Sequence, residues 1–159
     1  MPVAQFITVF GLPFHPLIVH ATVVLVPAAA IAVGLAAVWS RFRRWIGVGA
    51  AALTVVAVLL DPLTTASGGA LRRELPPSPL IERHASLADG LLPWLIALLV
   101  GALAIYLIRF PRVTARWTPP APIVAVATGI AVVAAAGTLV WVVLVGHAGA
   151  AAAWHGVGG

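Results

Sequence analysis

The residues able to do chemistry in this sequence are its five histidines, His15, His20, His84, His147 and His155, together with the acids Asp61 and Glu82. A neutral imidazole ligates haem iron, zinc or copper, and a carboxylate beside it orients the ring or carries a proton. The chain has no cysteine, which excludes disulfides, thiolate metal sites and thioether-linked haem. Its one methionine is Met1, the initiating residue, which leaves no thioether for an axial position. Any bound cofactor would therefore rest on histidine. With no nucleophile–base pair, phosphate loop or dinucleotide fingerprint, the sequence leans away from an enzyme.

The elements that must position these residues are membrane spans. Only 8% of the 159 residues are charged, 62% are hydrophobic and the mean hydropathy is +1.12, values foreign to a soluble domain of this length. Apolar stretches run from about Pro16 to Trp39, Trp45 to Thr65, Ser86 to Ile108 and Pro122 to Gly146. At about 1.5 Å per residue each crosses roughly 30 Å of hydrocarbon. The expected fold is all-α, a single domain over residues 1–159 forming an integral membrane bundle of four transmembrane helices. A polar loop is expected from Ser67 to His84. Asp61 then falls near the end of the second span, beside Pro62. In the fourth span Ala127, Ala131 and Ala135, with Ala125 and Gly129 alongside, favour close helix packing.

Arginine sets the orientation. All nine basic residues are arginine, giving a net charge of +5. Arg41, Arg43 and Arg44 follow the first span and Arg109, Arg112 and Arg116 the third. On the opposite side Arg72, Arg73 and Arg83 are offset by Asp61, Glu74, Glu82 and Asp89. Flanking positive charge of this kind marks the cytoplasmic side rather than a nucleic-acid surface. Both termini are then outside, in a multi-pass protein of the bacterial cytoplasmic (inner) membrane. The first 14 residues lack a basic residue, which disfavours a cleaved signal. Trp39, Trp45 and Trp117 would mark the inner interface, and Trp94, Trp141 and Trp154 the outer one.

All five histidines fall at the outer face. His15 precedes Pro16, which pushes it out of helical conformation. His20 lies about 140° around the helix from it, so one ion cannot easily use both. His147 and His155 are separated by about 12 Å along a continuous helix. This reading makes His20, His84 and His147 the inner set, with His15 and His155 peripheral. A weak internal echo supports it: His20-Ala21-Thr22 with Pro27 downstream resembles His84-Ala85-Ser86 with Pro93 downstream, as though two similar hairpins set His20 and His84 as counterparts. Asp61 is either an acceptor that orients a ligating ring or carries a proton, or an interfacial cap or partner of Arg72 or Arg73, the commoner role for such a residue. Glu82 could likewise orient His84.

Four segments carry a family resemblance: Pro13-Phe14-His15-Pro16-Leu17-Ile18-Val19-His20, Pro62-Leu63-Thr64-Thr65-Ala66-Ser67-Gly68, Glu82-Arg83-His84-Ala85, and Gly146-His147-Ala148-Gly149-Ala150 with Trp154. In this order they resemble the bacterial membrane family DUF2231, a domain of unknown function, in its actinobacterial form. The resemblance implies a four-span bundle. Some relatives look joined to cytochrome c-like modules, which implies haem or electron transfer. The closing motif is diluted here by Ala150 to Ala153.

Three functions stand open at this point. One is a b-type haem protein that passes electrons to a redox partner on the outer face, with iron on His20 and either His84 or His147. A second is zinc or copper binding or transport, using three or four of the five histidines with Asp61 or Glu82. The third is a structural or assembly subunit without cofactor. The expected surroundings are the lipid bilayer and, as a further option, a second copy of the chain in a homo-oligomer.

Overall fold

The computed structural model describes residues 8–9, 12–109, 115 and 118–154. After a short antiparallel pairing of β1 (Thr8–Val9) with β2 (Leu12–Pro13), the described residues are helical: α1 (Phe14–Val38), α2 (Ser40–Ile46), α3 (Gly49–Arg72), α4 (Pro79–Asp89), α5 (Leu91–Arg109) and α6 (Ala121–Trp154). Four stretches are long and apolar enough to cross a membrane: α1, α3, α4 with α5, and α6. Around the bundle the order is α1, α3, α5, α6, each packed on the next and α6 closing on α1. Neighbours run antiparallel, so His15 and His84 come to one end, the histidine end, and Arg41, Arg43 and Arg109 to the other, the arginine end.

The long helices are largely apolar on every face, and in α1, α3 and α6 size decides which face turns inward, while α5 buries Leu91, Leu95, Leu98 and Ile105. The buried positions of α1 are mostly alanine, including Ala29, Ala30, Ala32, Ala36 and Ala37, while Val23, Val24, Ile31 and Val38 face out. Side chains as oily as lipid gain little from burial in lipid, so small residues that let backbones approach are the ones selected for the seams. A Cβ on Gly101 of α5 would stand 2.7 Å from the Cα of Ala131 in α6, and one on Gly34 of α1 would touch Ala135. Ala127, Ala131 and Ala135 are buried as the sequence suggests, whereas Ala125 and Gly129 lie on the outer surface. A single buried cluster draws on α1, α3, α5 and α6.

Several boundaries differ from the sequence reading. The polar stretch 67–84 is mostly helical: α3 continues to Arg72 and α4 starts at Pro79, leaving 73–78 as the connection. Proline suits the first turn of α4, and an exposed ion pair, Arg72 to Glu82 at 3.0 Å, ties the two helices. Pro62 does not end α3. A broken helix would leave polar backbone unmet in an apolar setting, and the Thr65 hydroxyl donates to the carbonyls of Asp61 and Pro62 at 3.2 and 3.1 Å. Asp61 therefore sits in the interior of α3 rather than at its end. The third span does break, at Gly90 between α4 and α5, with Pro93 in the first turn of α5.

At the arginine end, Arg43 of α2 donates to the last carbonyls of α1, at Ala36 and, at 3.2 Å, Ala37. A guanidinium at a helix C-terminus meets orphan acceptors and the negative end of the dipole together. Burial, then the charges of Arg109 and Arg44, pull the pKa of Arg43 below that of a free guanidinium. Gly47, with φ of 54°, ends α2 in a conformation that favours glycine. Trp39 and Trp45 are exposed here and Trp154 at the other end, as interfacial tryptophans should be. Trp117 lies outside the described residues. Trp94 and Trp141 depart from the expected belt: they lie across glycines of the facing helix, Trp94 on Gly137 and Trp141 on Gly90, with their rings 6.4 Å apart.

The close approach at Gly101 makes a direct prediction. Gly101→Val forces carbon onto the Ala131 backbone, an overpacking cost of about 1–3 kcal/mol, and should lower the thermal midpoint of the helical signal in detergent. Gly129→Val, where an added Cβ meets nothing within 4 Å, should leave it unchanged. Equal midpoints would remove this contact from the account of the fold.

Candidate functional site

The histidine end is built from the starts of α1 and α4 and the ends of α3 and α6. Because α1 begins at Phe14, His15 lies in its first turn, with Pro16 following in the same turn, where no intrahelical donor is needed. The expectation that Pro16 would expel His15 from the helix does not hold. The ring of His15 faces α3, where Nδ1 is 2.9 Å from the Ser67 hydroxyl. That hydroxyl donates to the Thr64 carbonyl at 2.8 Å. It therefore accepts from the imidazole, which puts the proton of a neutral His15 on Nδ1.

Once His15 faces inward, helical geometry turns His20 away. His20 is exposed, and its Nδ1 donates to the Pro16 carbonyl of its own helix at 2.6 Å. His84, within α4, is half-buried against α6, and its Nδ1 donates to the Val145 carbonyl at 3.1 Å. His147 is exposed on α6, and His155 lies outside the described residues. The residues brought together are thus His15 and His84, within electrostatic reach of one another. His20 and His147 are not part of that pair.

The two rings are held in the same way. A Cβ on Gly68 of α3 would lie 3.0 Å from Cε1 of His15, and one on Gly149 of α6 would lie 3.0 Å from Cε1 of His84. Each imidazole rests on a glycine of the helix beside it, with Nδ1 donating to that same helix. Nε2 is left in both rings as the nitrogen able to ligate. The sequence echo therefore exists in space with a different partner: His15 with Gly68 matches His84 with Gly149, and His20 has no counterpart role. Gly68 and Gly149 stood within the family-resembling segments Pro62 to Gly68 and Gly146 to Ala150, but the length of α3 beyond Pro62 was needed to bring Gly68 level with His15.

The acids divide differently from expectation. Glu82 is engaged by Arg72 and not by His84. Asp61 is 3% exposed and pairs with neither Arg72 nor any other cation among the described residues. One turn nearer the histidine end, Thr22 of α1 and Thr64 of α3 meet hydroxyl to hydroxyl at 2.8 Å. The matching seam between α5 and α6 is aromatic instead: Trp141 Nε1 donates to the Leu87 carbonyl at 2.8 Å, and Thr138 donates to the Trp94 carbonyl at 3.4 Å. Among the described residues no group of three or more histidines and acids converges as a metal site.

The ring geometry can be checked by nitrogen NMR of imidazole-labelled protein. His15 and His84 in their neutral forms should both show the Nδ1–H tautomer. Ser67→Ala should relax that preference at His15 and leave His84 unchanged; a change at both, or at neither, would contradict the assignment of the acceptors.

Comparison with known families matches residues 11–159 to a family described as "Predicted membrane protein (DUF2231)". No curated protein and no solved structure matches the chain.

Proposed function

The chain belongs to the DUF2231 family of predicted membrane proteins, and within it we propose a b-type haem electron carrier whose iron is held by His15 and His84. The supporting observation is the imidazole pair: two rings from different helices, each with Nδ1 fixed by a hydrogen bond and each seated on a glycine. An Nδ1–H donor bond fixes the tautomer and ring plane and presents Nε2 as the ligand, as in histidine ligation generally. Haem supplies four nitrogen donors of its own and asks the protein for two. A zinc site takes three or four protein ligands, and neither Glu82, held by Arg72, nor Asp61, deeper in the bundle, joins the pair.

Bound at the pair, haem would supply one-electron redox chemistry. The chain's own contribution is to orient two ligands, to shield them with the ends of α3 and α6, and to set the local charge with Glu82, Arg83 and Asp89. The arginine end is proposed to face the cytoplasm and both termini the outside of a bacterial cytoplasmic membrane, on the strength of the six arginines that follow the first and third spans. The redox partner would then meet the protein from outside.

Full-length protein purified after expression with haem supplied should give a reduced-minus-oxidised b-type spectrum. His15→Ala and His84→Ala should each abolish or strongly shift it, while His20→Ala and His147→Ala should retain it. A chain without any haem spectrum loses this reading, and stoichiometric zinc or copper in elemental analysis would put a metal ion in its place.

A further inference from the structure

The fold gathers positive charge at the arginine end without an acid to offset it. Arg41, Arg43 and Arg44 of α2 and Arg109 of α5 stand there, and the charges of Arg109 and Arg44 both act on Arg43. Arg112 and Arg116 lie outside the described residues. The chain has four acids, Asp61, Glu74, Glu82 and Asp89. The last three belong to the histidine end. Asp61 is buried in α3, about 18 Å along the axis from Gly49, the start of that helix at the arginine end. The one ion pair among the described residues, Arg72 with Glu82, is also at the histidine end. Like charges held together repel, and among the described residues this cluster has no counter-charge.

Membrane topology alone does not require this arrangement. Positive loops orient a chain wherever in the loop the arginines fall, whereas here one guanidinium is fixed in place. Nη1 of Arg43 donates to the carbonyls of Ala36 and Ala37 at the end of α1, and its N–H groups on Nε and Nη2 have no acceptor among the described residues. Arg43 also lines a recess where α1, α3 and α5 meet, with Val33, Ala36, Ala51 and Ile105. Arg41, Arg44 and Arg109 are exposed, and no hydrogen bond among the described residues holds them. The aromatic side chains set the depth. Trp39, Phe42 and Trp45 form a row with ring centroids 6.1 and 5.5 Å apart, and both tryptophans are exposed. Exposed indoles settle at the headgroup level of a bilayer, so Arg41 and Arg44, interleaved with them, are level with lipid phosphates. A guanidinium fork matches phosphate oxygens bidentately. A soluble acidic partner would have to reach a surface that the tryptophans hold among headgroups; a lipid phosphate is already there.

We propose that the arginine end binds the phosphodiester headgroup of an anionic phospholipid, with Arg43 as the fixed donor and Arg41, Arg44 and Arg109 closing on it from the exposed side. No covalent bond is made or broken. The lipid supplies the negative charge that the chain lacks at this end, and its acyl chains lie against exposed side chains such as Val38 of α1 and Leu107 of α5. The proposal stands whether or not the imidazole pair binds haem.

Native mass spectrometry tests this on the full-length protein in detergent, equilibrated with equal amounts of phosphatidylglycerol and phosphatidylcholine of matched acyl chains. Phosphatidylglycerol should be retained in preference. Arg109→Gln, which removes no hydrogen bond or ion pair of the described residues, should lower that retention about threefold or more, as for loss of one charge-assisted hydrogen bond. Arg43→Lys, which keeps the charge and loses the planar fork, should lower it as well. Arg73→Gln removes the same charge at the histidine end and should leave retention unchanged. The thermal midpoint of the helical signal in phosphatidylcholine shows that each variant is folded. Equal retention of the two lipids by the unaltered protein overturns the proposal, as does a loss in Arg73→Gln equal to that in Arg109→Gln. Inorganic phosphate retained as well as phosphatidylglycerol would make this a site for a free anion and overturns the lipid assignment.

Discussion

In a bundle whose outer surface is as apolar as its interior, helices have no hydrophobic reason to prefer one another to lipid, and they associate where their backbones can approach closely. Several seams of this protein depend on that approach. Gly101 meets the Ala131 backbone and Gly34 meets Ala135; Gly137 and Gly90 lie under Trp94 and Trp141; Gly68 and Gly149 lie under His15 and His84. The scaffold and the candidate site are therefore made by one device. A glycine lets either a helix backbone or a flat ring come in, and which of the two occurs depends on the facing residue. Large side chains such as Val24, Val100, Val133 and Val143 are left to the outside, while α1, α3 and α6 turn mainly alanine inward.

The second constraint is that backbone carbonyls released at irregular points must be met inside the protein. Arg43 answers the end of α1, and Trp141 the Leu87 carbonyl beside the break at Gly90. His84 also spends its Nδ1 proton on a carbonyl, that of Val145. Chemistry at this ring follows from backbone bookkeeping: a proton committed to Val145 on one nitrogen is what frees the other.

Much of this was legible in the sequence because hydropathy and arginine placement act over whole spans. The four long helices, the placing of His15, His20, His84 and His147 toward one end and the small-residue stripe through Ala131 needed no tertiary information. What was not legible turned on single residues whose local rules were overruled. Pro16 was expected to expel His15 from α1, but a proline is as comfortable one residue further into the first turn. That displacement rotates the whole assignment, exchanging His15 for His20 as the inward ring. The second span was expected to end at about Thr65, but α3 continues to Arg72, moving Asp61 from near a helix end to a buried interior position. Trp94 and Trp141 read as interfacial anchors, since nothing along the chain reveals that a glycine lies opposite each.

The resemblance between the two hairpins then acquires a physical meaning. Both place a histidine of one helix on a glycine of the next, but beneath that common feature the seams diverge. Between α1 and α3 lie Ser67, Thr22 and Thr64; between α5 and α6 lie Thr138 and two indoles, of which Trp141 donates to a backbone carbonyl. Two rings seated alike thereby stand over unlike seams, one lined by hydroxyls and the other by indoles.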